Sequence, residues 1–237
     1  MHDILQQILY FFGHGFCHQF PERSLEAGGL YFSVCARCTG IYLGFILTLV
    51  IIFILAKITR GREAPAAMPP AWAIAVGGIL IVPMAIDGVG SYTGIYVTTN
   101  LLRFITGYLC GMGVAVITSG GILSLLARPN HSLRAIDKPG KLVLVVVISA
   151  VLGALFYITY GFMGAVAPFL VLVCLWFSVT LVILLILSTT KFWPTGAPAR
   201  RRVVLVVVSL LAALAVLSIL SLLTSLFGFL FPWYVHP

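Results

Sequence analysis

Six stretches of this chain are apolar for long enough to cross a bilayer, whose hydrocarbon core of about 30 Å takes roughly 20 helical residues. They cover 34–55, 71–86, 97–126, 142–160, 168–187 and 203–223, and the second is the shortest, at the low edge of the spanning range. Polar positions gather in the short connections between them. The pattern predicts an all-α fold, a polytopic membrane helix bundle of about six transmembrane helices. Ahead of the first stretch, "ILQQILYFFGHGF" carries two glutamines and falls well short of spanning length. It predicts a short N-terminal interfacial or re-entrant helix, not a seventh span. The start has neither a basic n-region nor a small-residue cleavage site, which argues against a cleavable signal peptide. No linker or composition shift divides 1–237, so one integral membrane domain is expected: a Cys/His segment over 1–33, three spans carrying the site over 34–126, and three scaffold spans over 142–223.

Composition agrees with the membrane as solvent. Apolar residues are 61% of the chain and charged ones 8%, against about a quarter charged in soluble domains. A formal charge of +8 would suggest a nucleic-acid partner in a soluble protein, but here the cations sort by connection, and no nucleic acid is expected. Lys57, Arg60 and Arg62 follow the first span; Arg128, Arg134, Lys138 and Lys141 follow the third; Lys191 and Arg200 to Arg202 follow the fifth. Eleven of the fourteen cations thus lie on one side, which the positive-inside rule makes cytoplasmic. Both termini are then expected outside, in a multi-pass cell-membrane protein. The C-terminal "FGFLFPWYVHP" suits anchoring at the outer interface.

The same outer side would hold Cys17, His18, Cys35 and Cys38, spaced C-H-x16-C-x2-C. Two thiolates two residues apart can grip one tetrahedral ion, and a second pair from another segment closes the shell, as in structural zinc sites. Zinc is the favoured cofactor, because thiolate and imidazole suit it and it needs no redox poise; another thiolate-binding metal fits the same ligands. Adjacent Cys and His must diverge to reach one ion, so His14, one helical turn from His18, is an alternative ligand. Cys35 and Cys38 are expected in the first turn of the first long helix, where free N–H groups favour thiolate. Two other readings use the same residues. Cys35 and Cys38 can form a redox-active pair, with Cys17 resolving and a membrane quinone accepting electrons, or a static disulfide from Cys17 can pin the N-terminal segment to the bundle. Cys110 and Cys174 lie deep in apolar helices and read as packing thiols.

"CHQFPERS", "VCARCTGIYLGF", Asp87-Gly88 and "TNLLRFITG" together resemble the membrane-protein family known as domain of unknown function 2085, over roughly 13–113. The resemblance implies a small polytopic membrane protein whose characteristic residues are here Cys17, His18, Pro21, Glu22, Arg23, Cys35, Arg37, Cys38, Asp87, Asn100 and Arg103. It implies no reaction. Between Asp87 and Asn100 this chain has "GVGSYTGIYVT", where the resemblance leads one to expect a more polar loop.

Ionisable residues inside spans are expensive and mark function by default. Asp87 closes the second span and Arg103 opens the third, so the two are expected to pair. Asn100, Arg103, Gly107 and Cys110 share one helix face by their spacing of three and four. That face predicts either a polar pocket beneath the Cys/His cluster or an ion pair clamping two helices. Gly107 and Gly111 form a G-x-x-x-G close-packing pattern. Glu22 can act as a general base on a metal-bound water, or pair with Arg37. The candidate catalytic set is therefore Glu22, Asp87 and Arg103, with Arg23, Arg37 and Asn100 as substrate-binding residues. Arginines on a face that should be poor in cations point to an anionic partner, such as a lipid phosphate. A metal-centred protein acting on an anionic lipid or small substrate, a thiol oxidoreductase, and a transporter or lipid translocase all remain compatible with the sequence, although no inverted repeat or broken-helix pair is evident.

Overall fold

The computed structural model describes residues 2–60, 64–126, 129–188 and 199–230. Among them are seven helices: α1 (His2–His14), α2 (Ala36–Arg60), α3 (Ala71–Tyr92), α4 (Asn100–Leu126), α5 (Pro139–Thr159), α6 (Val166–Ser188) and α7 (Ala199–Leu230). Six of them, α2 to α7, are long and apolar enough to cross a membrane. The protein is an all-α polytopic bundle with a short N-terminal helix. Arg62, Arg128, Lys191 and residues 231–237 of the aromatic tail lie outside the described residues.

The bundle is organised around α4, which packs along both α2 and α3. Small residues make this possible. A Cβ added at Gly107 would fall on the carbonyl oxygen of Arg37, and one at Gly111 on that of Ile41. Reciprocally, a Cβ at Gly40 would meet the carbonyl of Phe104, and one at Gly44 that of Tyr108. Each helix therefore presents a G-x-x-x-G face to the other, so the two backbones touch and dispersion contacts run the length of the seam. Gly77 and Gly113 do the same between α3 and α4. In contrast, among the described residues α3 packs mainly on α4, and its Ile79, Ile86 and Val89 are exposed, as residues meeting lipid would be.

Two short β elements depart from the purely helical expectation. Strands β1 (Ser24–Ala27) and β2 (Leu30–Cys35) form an antiparallel hairpin in which Ala27 pairs with Leu30. Its two-residue turn has Gly28 at φ 61 and Gly29 at φ 74. Both angles are left-handed, as the tight hairpin turn requires, and only glycine adopts them freely. Leu25, Ala27, Leu30, Phe32 and Val34 are buried while Glu26 and Tyr31 are exposed. The hairpin thus lies as a lid over one end of the bundle, with Phe32 edge-on to Phe156 and Tyr160. Its existence moves the start of the first span: residues 34 and 35 are strand, and α2 begins at Ala36. A second pair, β3 (Ala64–Ala67) with β4 (Pro129–Arg134), runs parallel and joins the connections that follow α2 and α4.

Helix α1 is fastened to the hairpin by glutamines that complete its hydrogen bonding. Gln6 accepts from the Tyr31 N–H at 2.8 Å and donates to the Tyr31 carbonyl at 3.4 Å, as a neighbouring strand would. Gln19 donates to the carbonyls of Tyr10, at 3.1 Å, and Ser33. The N-terminal segment is thereby held across the end of the bundle where α2 and α4 begin and α3 ends.

Candidate metal centre

At that end three sulfurs meet. The Sγ atoms of Cys17, Cys35 and Cys38 all lie within 4.8 Å of one another, and all three residues are half-buried. Each comes from a different local structure. Cys17 sits just beyond α1, Cys35 ends β2, and Cys38 lies in the first turn of α2. The expected placement of Cys35 inside the helix is corrected here, with a chemical consequence. As the residue preceding α2, Cys35 occupies the N-cap position, where the backbone N–H groups of Arg37 and Cys38, which no helix carbonyl can take, favour its thiolate. Cys17 Sγ in turn accepts from the Cys35 N–H at 3.2 Å. N–H groups directed at sulfur stabilise thiolate, the form that binds metal.

The thiols share charge unequally. Cys35 is pushed far below the ordinary thiol range, first by the Cys17 thiol donating to it, then by Cys38 and the two backbone N–H groups. Cys17, as donor to Cys35, is pushed up. His18 is not within the cluster. Its side chain is exposed and stacks on Phe20 with ring centroids 5.9 Å apart. His14 stacks on Tyr10 at 4.8 Å, with Nδ1 buried and without a hydrogen-bond partner among the described residues; burial, with His18 nearby, lowers its pKa.

Around the sulfurs the polar residues form a frame. Asp87 is buried and receives Arg37, whose Nε donates to Oδ2 at 3.0 Å and whose terminal nitrogen binds the same oxygen. The Tyr96 hydroxyl donates to Oδ1 and the Thr106 hydroxyl also to Oδ2, each at 3.3 Å. The expected Asp87–Arg103 and Glu22–Arg37 pairs are both replaced by this Arg37–Asp87 pair, because the glycine seam draws the start of α2 against α4 beside the end of α3. Arg103 instead donates to Asn100 Oδ1 at 3.0 Å, and Asn100 donates to the carbonyls of Glu22 and Ser24, at 3.3 Å each. Asn100 thus ties the Pro21–Arg23 turn to α4. The Glu22 side chain is exposed and does not line the cleft described next.

A cleft of about 600 Å³ opens beside the triad. Cys17, Cys35, Cys38, His18, Arg23 and Arg37 line one side, and Met84, Ala85, Gly88, Val89 and Tyr92 of α3 the other. Arg23 lies over the rings of Phe20 and Tyr92, at 5.1 and 5.9 Å. Among the described residues no carboxylate lines the cleft. Cys110 and Cys174, which the sequence assigns to packing, are buried in α4 and α6. The feature that reading the sequence missed is the hairpin that delivers Cys35; its signal was present as Gly28-Gly29 between alternating apolar positions.

This frame lies within the part of the chain that matches a known family. Residues 17–117 match the profile of a family described as predicted membrane protein, DUF2085. An uncharacterized protein of Methanothermobacter thermautotrophicus is 40% identical over 103 residues, which are 43% of this chain and 83% of that protein. One from Methanocaldococcus jannaschii is 36% identical over 98 residues, 41% of this chain and 58% of the relative. No solved structure matches. The matched region holds the three cysteines, the Arg37–Asp87 pair and the α2–α4 seam, and with it the chain belongs to the DUF2085 family of membrane proteins.

Proposed function

We propose that this protein carries a zinc centre at the outer face of the membrane, with Cys17, Cys35 and Cys38 as ligands and the fourth tetrahedral position turned toward the adjoining cleft. The carrying observation is the convergence of three sulfurs within 4.8 Å from segments that are separate along the chain. Three thiolates suit zinc, and a site with three protein ligands keeps a position for water or substrate. An ion there fastens the N-terminal segment to α2. It also lowers the pKa of a bound water beside Arg23 and Arg37, which favours chemistry on an anionic group. His18 lines the same cleft and offers an imidazole for proton transfer to that water, whereas Glu22 does not line it. Asp87 and Asn100 act as positioning residues, holding Arg37 and the Pro21–Arg23 turn.

Elemental analysis of the full-length protein purified in detergent tests the centre. About one zinc per chain is expected in the wild type, and loss of it in Cys35→Ser and Cys38→Ser. A wild type without stoichiometric metal ends this reading. The approach of the Cys35 and Cys38 sulfurs to within 4.8 Å of each other supports a second one, a thiol–disulfide oxidoreductase using that pair. That reading requires the two cysteines to be found in both oxidised and reduced forms when cells are quenched by alkylation; a single redox state under every condition excludes it.

A further inference from the structure

We propose that the cleft beside the thiol triad receives the phosphate headgroup of a membrane lipid, which enters sideways from the bilayer between α3 and the N-terminal segment. The proposal rests on the metal-centre reading only for the chemistry that would follow, since charge and shape carry the binding. Three guanidiniums gather at this end of the bundle: Arg23 and Arg37 line the cleft, and Arg103 is held by Asn100, which binds the carbonyls on either side of Arg23. Asp87 is taken by one of them, Arg37. Among the described residues neither Arg23 nor Arg103 has an ion-pair partner. A planar guanidinium held over Phe20 and Tyr92, with its donors uncommitted, fits a phosphate bidentately.

The opposite wall says where such a ligand comes from. It is one side of α3, a helix long enough to span the membrane, and its lining residues Ala85, Val89 and Tyr92 are exposed on the face that α4 leaves uncovered. Val89 is 63% and Tyr92 73% exposed, so the apolar wall is continuous with the lipid-facing surface. At its centre is Gly88, where an added Cβ would meet nothing within 4 Å. No neighbour requires a glycine there for packing, and its bare backbone leaves width for a chain lying along α3. The cleft thus offers the unpaired guanidinium of Arg23 at one end and an apolar side along α3, as an amphiphile requires. A water-soluble phosphate would use only the first.

The test uses full-length protein in detergent micelles and native mass spectrometry with three probes: dioctanoyl phosphatidate, dioctanoylglycerol and glycerol 3-phosphate. Phosphatidate is expected to bind one per chain, with the other two at least about tenfold weaker, since each lacks one half of the match. Arg23→Gln and, independently, Gly88→Leu are each expected to weaken phosphatidate about tenfold or more, with Arg23→Lys intermediate. Equal binding of glycerol 3-phosphate overturns the lipid assignment, equal binding of dioctanoylglycerol overturns the headgroup assignment, and unchanged binding in both Arg23→Gln and Gly88→Leu overturns the location. Zinc is measured in the same samples. Phosphatidate binding that depends on Arg23 in a zinc-free wild type would sink the metal centre alone, and a zinc-loaded protein indifferent to phosphate would sink this proposal alone.

Discussion

Arg37 and Asp87 are fifty residues apart in the chain, yet Arg37 Nε lies 3.0 Å from Asp87 Oδ2, with the carboxylate buried among α2, α3 and α4. One residue beyond Arg37 is Cys38, so the ion pair fixes the height and rotation of the helix start that carries a sulfur of the triad. Removing one partner of a buried pair leaves the other charge uncompensated, at a cost of about 3–5 kcal/mol. Asp87→Asn is therefore expected to lower thermal stability in detergent markedly and to reduce bound zinc, although it touches no sulfur. Arg37→Met combined with Asp87→Leu should recover much of the stability, because it removes both charges together. Should Asp87→Asn unfold and bind zinc like the wild type, the pair does not hold the site.

The glycine seam makes a separate prediction. Gly107→Ala would place a methyl group against the Arg37 carbonyl, forcing α2 and α4 apart at the level of the triad. Overpacking of this kind costs roughly 1–3 kcal/mol. Gly78→Ala, on α3 with nothing within 4 Å, is expected to be neutral or slightly stabilising, since alanine is the better helix former. Melting curves of the two variants in the same detergent compare them directly, and equal effects would mean that the close approach of the helices does not matter.

The six spans were legible because twenty consecutive apolar residues have no other common use, and the cysteines because a C-x2-C pair with a third thiol upstream is already a ligand set. The Arg37–Asp87 pair was not. Chain order favours Arg103, which follows Asp87 across one short turn; what decides otherwise is the contact of Gly40 and Gly44 with Gly107 and Gly111, a tertiary packing that makes α2 the nearer neighbour. The echo between "TGIYLG" and "TGYLCG", too short to indicate a repeat, marks the two halves of that seam. The hairpin was hidden because its β2 strand runs straight into α2, so that Val34 and Cys35 read as the start of the apolar span.

Unequal thiol acidity should appear as an order of reaction. In the metal-free protein Cys35 is held as thiolate and Cys17 as thiol, and alkylation requires the thiolate. With limiting iodoacetamide at neutral pH, peptide mapping is expected to find Cys35 modified before Cys17. As the pH is raised, Cys17 should become reactive only above the range of a free thiol, because its pKa is raised. Zinc should protect both. Modification of Cys17 first would contradict the hydrogen-bond pattern that favours Cys35.

Sidedness can be read with fusions. The ends of α2, α3 and α4 that frame the triad are opposite those that carry Lys57 and precede Lys138 and Lys141, and the positive-inside rule sends the basic end to the cytoplasm. Alkaline phosphatase, active only outside, is expected to be active when fused after Thr93 and inactive when fused after Lys138. The reverse pattern would put the triad on the cytoplasmic side and withdraw the outer-face assignment.

The fourth ligand separates a metal that only fastens the segment from one that can act. His18 follows Cys17 directly, and with the Cys17 sulfur turned inward its ring lies outward on Phe20. If a water or an exogenous ligand completes the shell, His18→Ala should leave about one metal per chain, whereas Cys38→Ser should lose it. Cobalt substitution gives a reading that does not depend on activity: thiolate-to-metal absorption should be present in His18→Ala with the same intensity per ion, and an added anion should shift its visible bands as it displaces the fourth ligand. A cobalt spectrum that changes on His18→Ala but ignores added anions would make His18 the fourth ligand, close the shell, and leave the ion a purely structural task.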